Sequence, residues 1–199
     1  MKQAYHHKDL RNALIDEALA MLATDDSSAL TLRELARRLG VTHAAPYAHF
    51  PDKRRLLEAV HDAGFTRLAD QLEAAATQAG EPVAAFRRMA LTYLRFATEN
   101  PNLYRLMFSG AELGHDAQTE MSPDGERAFA ILVGTVERVG IPHGVDAHDL
   151  AAAVWAMVHG VAMLEIDGRL NGKTAHDPQA VLSLMTDVAI RGLGGGAGG

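Results

Sequence analysis

Side chains able to bind phosphate or read base edges are concentrated between Thr31 and Lys53. Hydroxyl, phenol, imidazole, guanidinium and ammonium groups of this kind hold nucleic-acid backbones through hydrogen bonds and charge. His43 can donate to a purine acceptor, and the methyl groups of Ala44 and Ala45 can contact a thymine methyl. The candidate DNA contacts are Thr31, Arg33, Thr42, His43, Ala44, Ala45, Tyr47, His49 and Lys53.

These residues are expected to be positioned by a short helix that begins after Thr31. Thr31 and Glu34 stand at the spacing of a capping box, in which each side chain bonds the backbone N–H of the other residue. Leu30 and Leu35 stand at the spacing of a hydrophobic staple. Gly40 suits the left-handed conformation that ends a helix.

A second, very short helix is predicted over residues 42–48, capped by Thr42. Pro46 lies in its first turn, where it loses only one backbone hydrogen bond. Two short helices around a Gly-containing turn form a helix-turn-helix, whose second helix enters the DNA major groove. Such pairs also occur in folds that bind no nucleic acid, but this second helix is too small and polar to be kept for a core.

The stretch resembles the DNA-binding head of the TetR family of one-component bacterial regulators. The resemblance covers about residues 10–60 and lies in LTLRELARRLGVT, PYAHF and PDK. It implies that Tyr47 and His49 contact phosphate, that the protein acts as a dimer on a palindromic operator, and that a ligand controls binding. Ala48 departs from relatives, which often have Arg there, and residues 25–28 lack the Gly that members often carry.

Composition narrows the function further. The 199 residues carry a net charge of −6, but residues 1–60 hold nine Lys/Arg against eight Asp/Glu, so the head is mildly basic. Without cysteine there is no disulfide framework or thiolate metal site. No signal segment or apolar stretch of membrane-spanning length stands out, so a cytoplasmic protein is expected.

An enzyme is not expected, because no nucleophile motif and no His-Glu-x-x-His occurs. A loop and helix start could be drawn as a metal cluster, but Asp146 has a capping role there, so neither a metal nor a cofactor is predicted. That cluster would comprise His143, Asp146, His148 and Asp149.

The rest of the chain reads as further helices, which makes the predicted fold all-α. A long helix is expected over residues 53–78, capped by Asp52 and carrying a continuous apolar stripe. Later helices begin near Pro82, Pro101, Pro123, Asp146 and Pro178, and a polar, Gly-bearing loop or poorly formed turn is expected over residues 110–121. We expect a helix-turn-helix domain at 1–60, a helical ligand-binding and dimerisation domain at 61–191, and a flexible Gly-rich tail at 192–199.

Two pieces of the later chain also resemble a TetR subgroup: TYLRFATENPNLYRLMF, and AVWAMVHGVA with its Trp-x-x-x-His-Gly pattern. Met-rich and aromatic walls would suit a small, largely apolar or aromatic effector. For any single residue, a place in an ordinary helical core is the better expectation. The candidate ligand contacts are Phe86, Tyr93, Phe96, Tyr104, Met107, Phe108, Phe129, Trp155 and His159.

The last two helices carry small and aliphatic residues at packing spacing, as a four-helix dimer interface requires. The candidate interface residues are Ala152, Ala156, Gly160, Val161, Leu164, Val181, Leu184, Met185, Val188 and Ala189. The sequence therefore predicts a homodimeric, ligand-responsive transcriptional regulator, most readily a repressor. The alternative is a helical ligand-binding or protein-interaction module that does not act on DNA.

Overall fold

The structure, a computed structural model, is all-α over the residues it describes, which are 7–78, 80–109, 113, 121–173 and 177–194. Eight α-helices and no strand occur in these ranges, so the predicted fold class is confirmed. The helices are α1 (His7–Leu22), α2 (Leu32–Arg38), α3 (Lys53–Thr77), α4 (Pro82–Glu99), α5 (Pro101–Phe108), α6 (Pro123–Val139), α7 (Ala147–Ile166) and α8 (Pro178–Gly194).

Most helix starts coincide with a capping side chain that the sequence displays. The Asp52 carboxylate accepts from the N–H of Arg55 at 2.9 Å, and the Asp146 carboxylate accepts from the N–H of His148 at 2.8 Å. Ser122 and Asp177 cap α6 and α8 in the same way. Such caps satisfy N–H groups that have no partner within the helix, so the predicted starts are confirmed.

The N-terminal unit consists of the described residues up to Phe65 together with those between 100 and 120. In this unit the Asn102 side-chain amide donates to the carbonyls of Leu22 and Asp25 at 3.1 and 3.0 Å. These bonds fasten α5 to the end of α1. Helix α5 therefore packs with the head, although the expected functional division at residue 60 placed it with the later domain.

The C-terminal unit comprises the described residues of 66–99 and 121–199. Helices α4, α6, α7 and α8 pack there around one apolar cluster. The buried members of that cluster are Phe86, Val133, Val136, Ala151 and Val154. This unit is the helical bundle expected for the later domain.

Three details of the later chain differ from expectation or lie beyond description. Helix α8 continues to Gly194, so the first three residues of the expected tail are helical, and 195–199 lie outside the described residues. Most of the loop expected over residues 110–121 also lies outside them. Leu113, which is described, is helical and buried rather than part of a polar loop.

Helix α7 corrects the expectation that no apolar stretch could cross a bilayer. It has 20 residues and is long and apolar enough to do so by length and composition. Only 28% of its apolar stretch is buried within the described chain. Apolar core helices of globular proteins meet the same criterion.

Candidate nucleic-acid interface

Helix α2 is fixed at both ends by backbone geometry that the sequence encodes. The Thr31 hydroxyl accepts from the N–H of Glu34 at 3.1 Å, which confirms one half of the capping box. At the other end Gly40 has φ +66°, its N–H donates to the carbonyl of Arg37, and the N–H of Val41 donates to that of Ala36. This pair of bonds is the Schellman ending of a helix, and it fixes the direction of the chain entering the following turn.

The other half of the capping box is wrong, because the Glu34 carboxylate binds arginines instead of the backbone of Thr31. It accepts from Arg37 at 2.6 and 2.8 Å and from Arg38 at 2.9 Å. The hydrogen bond from Arg37, followed by that from Arg38, lowers the pKa of Glu34 to about 2. A charged guanidinium on the same helix face competes better for this carboxylate than a neutral N–H does.

The second helix of the motif is a 3₁₀ turn over Ala45–Ala48 and is not an α-helix starting at Thr42. The reason is Pro46, which has no N–H to donate to the carbonyl of Thr42. That carbonyl instead accepts from the N–H of Ala45 at 3.0 Å, and the N–H of Tyr47 bonds the carbonyl of Ala44 at 3.2 Å. Thr42 therefore does not cap this element, whose N-cap position is occupied by Ala44 without a side-chain bond.

Residues 42–49, which contain this turn, present most of their predicted contacts to solvent and are held by two buried rings. Pro46 and Phe50 are buried, and the Arg11 guanidinium lies 5.2 Å from the centre of the Phe50 ring. The exposed side chains include Tyr47, which is 47% exposed. Thr42, His43 and Ala44 are also exposed, whereas Ala45 and His49 are half-buried. The exposed hydroxyl of Thr42, imidazole of His43 and phenol of Tyr47 thus lie together within residues 42–49.

Lys53 has a structural role that the sequence did not reveal. Its half-buried ammonium donates to the carbonyl of Ser27 at 2.6 Å and lies 3.4 Å from that of Ser28. These carbonyls belong to a 3₁₀ turn, Ser27–Ala29, that Asp26 caps. The ammonium thus ties the first turn of α3 to the segment before α2, and a phosphate contact by Lys53 stays a prediction.

Arg33 is the predicted cation that remains available at this surface. It is exposed on α2, and in the described part of the chain no carboxylate pairs with it. The Thr31 hydroxyl, although it accepts the capping bond, keeps its own O–H as a donor. Both groups can therefore bind a phosphate while the capping bond of Thr31 stays in place.

In the C-terminal unit, three of the predicted ligand contacts form one hydrogen-bonded group. The Trp155 indole N–H donates to the Tyr93 hydroxyl at 3.1 Å, and that hydroxyl lies 3.1 Å from Nδ1 of His159. Phe129 packs edge-on to Trp155, with ring centres 6.2 Å apart. Burial lowers the pKa of His159, so the ring is neutral at pH 7.

The remaining ligand candidates fall in different places. Phe86 belongs to the buried cluster of the C-terminal unit, and Phe96 is buried on the same helix. Tyr104, Met107 and Phe108 belong to α5 in the N-terminal unit, where the rings of Tyr104 and Phe108 lie 4.8 Å apart. Contact of these side chains with a ligand stays a prediction.

Half of the candidate dimer contacts are exposed on the single chain. Leu164 is 46% exposed on α7, while Leu184 and Val188 are 66% and 63% exposed on α8. Ala152 and Ala156 are also exposed. Gly160, Val181, Met185 and Ala189 are half-buried, whereas Val161 is buried and belongs to the chain's own core.

Two family models match the chain. Residues 14–60 match the bacterial regulatory proteins of the tetR family, and residues 86–189 match the Tetracyclin repressor-like C-terminal domain. The chain belongs to the TetR family. It is thus a TetR-family transcriptional regulator, with a helix-turn-helix DNA-binding domain before its helical C-terminal domain.

Solved structures share the fold of this chain. A Rhodococcus sp. RHA1 protein of unknown function is 33% identical, with a TM-score of 0.80 over 96% of this chain and 99% of that one. TetR from Acinetobacter baumannii in complex with minocycline is 22% identical, with a TM-score of 0.64 over 91% and 94% of the two chains. At the latter identity the likeness shows the fold alone.

Curated relatives include nucleoid occlusion factors named SlmA. That of Alteromonas mediterranea is 26% identical over 83% of this chain and 84% of its own length. For that of Marinobacter nauticus, also 26% identical, the match spans 54% of its length. The chain thus spans about half the length of this second relative. Nucleoid occlusion is the role named for these relatives.

Proposed function

We propose that the protein is a dimeric repressor that binds a palindromic operator and is released by a small, largely apolar or aromatic effector. The observation that carries the DNA-binding part is the exposed 42–49 surface, which is fixed between the Schellman ending of α2 and the buried Phe50. A rigid backbone that presents donors outward is what phosphate positioning requires. We place the protein in the cytoplasm, with the DNA.

The short reading element makes dimerisation part of the proposal. A 3₁₀ turn of four residues presents few side chains to base edges, so one head alone would discriminate weakly between sequences. Two heads related by a twofold axis would read two half-sites, and the spacing between them adds specificity. The apolar side chains exposed on α7 and α8, above all Leu164, Leu184 and Val188, support this pairing.

The effector part of the proposal rests on Tyr93, Trp155 and His159. A neutral imidazole and a phenol joined by a hydrogen bond provide a polar handle among apolar helices, which is how small-molecule sites fix orientation. A ligand that binds one conformation of this domain better than the other would shift the DNA-binding equilibrium. Regulators of this family bind DNA as dimers and respond to small molecules, which agrees with this scheme.

Selection from a random duplex pool at moderate salt, followed by sequencing, tests the DNA-binding part. A palindrome enriched by the full-length protein supports the proposal and gives the half-site spacing. Salt-sensitive binding without enrichment, from protein shown by mass spectrometry to carry no co-purified ligand, would favour the helical module that does not act on DNA. With the palindrome in hand, fluorescence anisotropy identifies compounds that release the protein.

Two variants separate backbone contact from base reading. Tyr47→Phe removes one hydroxyl from an exposed ring and should weaken binding to all sequences alike. His43→Ala should instead relax preference at one base position of the selected palindrome. If His43→Ala lowers affinity equally for every sequence, then His43 is a backbone contact and its role as a reader is wrong.

A further inference from the structure

A basic groove lies between α3 and α4 in the C-terminal unit. None of its lining residues belongs to the proposed DNA surface, effector site or dimer interface. It has a volume of about 460 Å³, and its lining includes Gln71 and Ala75 of α3, Gln78 just after the end of that helix, and Arg88, Leu91 and Arg95 of α4. This volume lies within the range of ordinary small-molecule sites, roughly 300–1,000 Å³. No sequence motif contains the two arginines, so the groove could not be predicted from the sequence.

The two arginines of the groove are chemically available. Arg88 and Arg95 are both exposed, and neither forms an ion pair within the described residues. The nearby acids of α3, Asp70 and Glu73, are held by Arg127 at 2.6 and 3.0 Å and do not line the groove. Unneutralised guanidinium groups in a concave site attract carboxylate or phosphate, which they can bind through two parallel hydrogen bonds.

The spacing of these groups defines the shape of the ligand. Arg88 and Arg95 stand seven residues apart on one helix, so their Cα atoms are separated by about 10.5 Å. Gln71 of α3 and Gln78, just after its end, repeat that spacing, and Leu91 with Ala75 provides an apolar middle next to Thr92. The groove therefore offers a polar group at each end and an apolar surface between them.

This groove is separate from the hydrogen-bonded group of Tyr93, Trp155 and His159. Tyr93, Phe86 and Met89 are buried on α4, whereas Arg88 and Arg95 lie on its exposed face. We propose that the groove binds a linear organic dianion, with an acidic group at each end of an apolar chain about 10 Å long. This site goes beyond the proposed DNA and effector functions and does not depend on either.

Isothermal titration of the full-length protein at low salt tests the site. The probe is decanedioate, whose extended length is close to the arginine spacing, with hexanedioate, decanoate and the neutral decanediol for comparison. Decanedioate should bind most tightly and decanediol should not bind. Arg88→Gln and Arg95→Gln should each weaken decanedioate binding about tenfold, since each removes a charge-assisted pair.

Arg169→Gln is the matched control, because Arg169 is also exposed in this unit but lies outside the groove. Its decanedioate affinity should equal that of the unaltered protein. The proposal is overturned if decanedioate does not bind, or if Arg88→Gln and Arg95→Gln leave its affinity unchanged. Equal affinity for decanoate would also overturn it, because one arginine would then suffice. Circular dichroism checks that each variant is folded, and loss of operator binding alone would not bear on this site.

Discussion

Gly64 faces the Met107 side chain within the N-terminal unit, and a methyl group added there should destabilise the protein. A Cβ at Gly64 would lie 2.7 Å from the Met107 sulfur, 2.9 Å from its Cγ and 3.1 Å from Leu103 Cδ1. Both neighbours are buried, at 4% and 3% exposure, so neither side chain can swing into solvent. The close approach of α3 to α5 therefore depends on the missing side chain.

Two opposing terms set the size of the effect. Gly→Ala inside a helix should gain about 1 kcal/mol from helix propensity. Overpacking a filled site costs roughly 1–3 kcal/mol, so Gly64→Ala should lower the free energy of unfolding by about 1 kcal/mol. Gly134→Ala is the control, because apart from its chain neighbours and the nearby backbone of its own helix no described atom lies within 4 Å of its added Cβ. It should raise the free energy of unfolding by about 0.5–1 kcal/mol.

Urea unfolding at fixed protomer concentration measures both variants, since the proposed dimerisation would make stability concentration-dependent. Thermal melting should move in the same directions, by about 2–4 °C for each kcal/mol. In a Met107→Ala background the two closest contacts are absent and only the 3.1 Å approach to Leu103 remains, so Gly64→Ala should destabilise less than it does in the unaltered protein. If Gly64→Ala alone stabilises as much as Gly134→Ala, then Met107 moves aside without cost and the reasoning is wrong.

Three further outcomes follow from the half-buried ring of His159, the ion pairs of Arg127 and the apolar surface of α8. Because burial lowers the pKa of His159 below its usual value near 6.5, the unfolded chain binds its proton first. Stability should therefore fall as pH drops below about 6.5, and fall less in His159→Gln when the two are compared by urea unfolding. Arg127 pairs with three carboxylates, so Arg127→Gln should destabilise the protein more at low than at high sodium chloride, whereas Arg169→Gln should not. Leu184→Glu should sediment as a monomer; a dimer of undiminished affinity would remove α8 from the interface.

Helix boundaries could be predicted well because their signals are local. Asp52, Ser122 and Asp146 each lie within three residues of the N–H groups they accept, so sequence alone shows both partners. The Gly40 ending of α2 is equally local. The apolar stripe of α3 repeats at helical spacing, so the predicted end of this helix at residue 78 differs from the observed end by only one residue.

The errors arose where several groups compete for one partner or where the partner is remote in sequence. The Glu34 carboxylate could bond the Thr31 backbone or two arginines, and spacing alone permits both. Lys53 finds its carbonyl 26 residues earlier, which no local pattern reports. Burial of Val161 likewise depends on how α7 packs with its neighbours, because its spacing fits either face.

The shared carboxylates of the head have a consequence for counterion release on DNA. Glu34 bonds two arginines of α2, and Glu58 bonds two of α3: Arg37, Arg38, Arg54 and Arg55. Each phosphate neutralised contributes about −0.9 to the slope of log affinity against log salt. Cations already neutralised by carboxylates release few counterions, so the slope should be much shallower than nine basic residues per head would suggest. The operator affinity of this protein should then persist at salt concentrations that remove a fully basic reader from DNA.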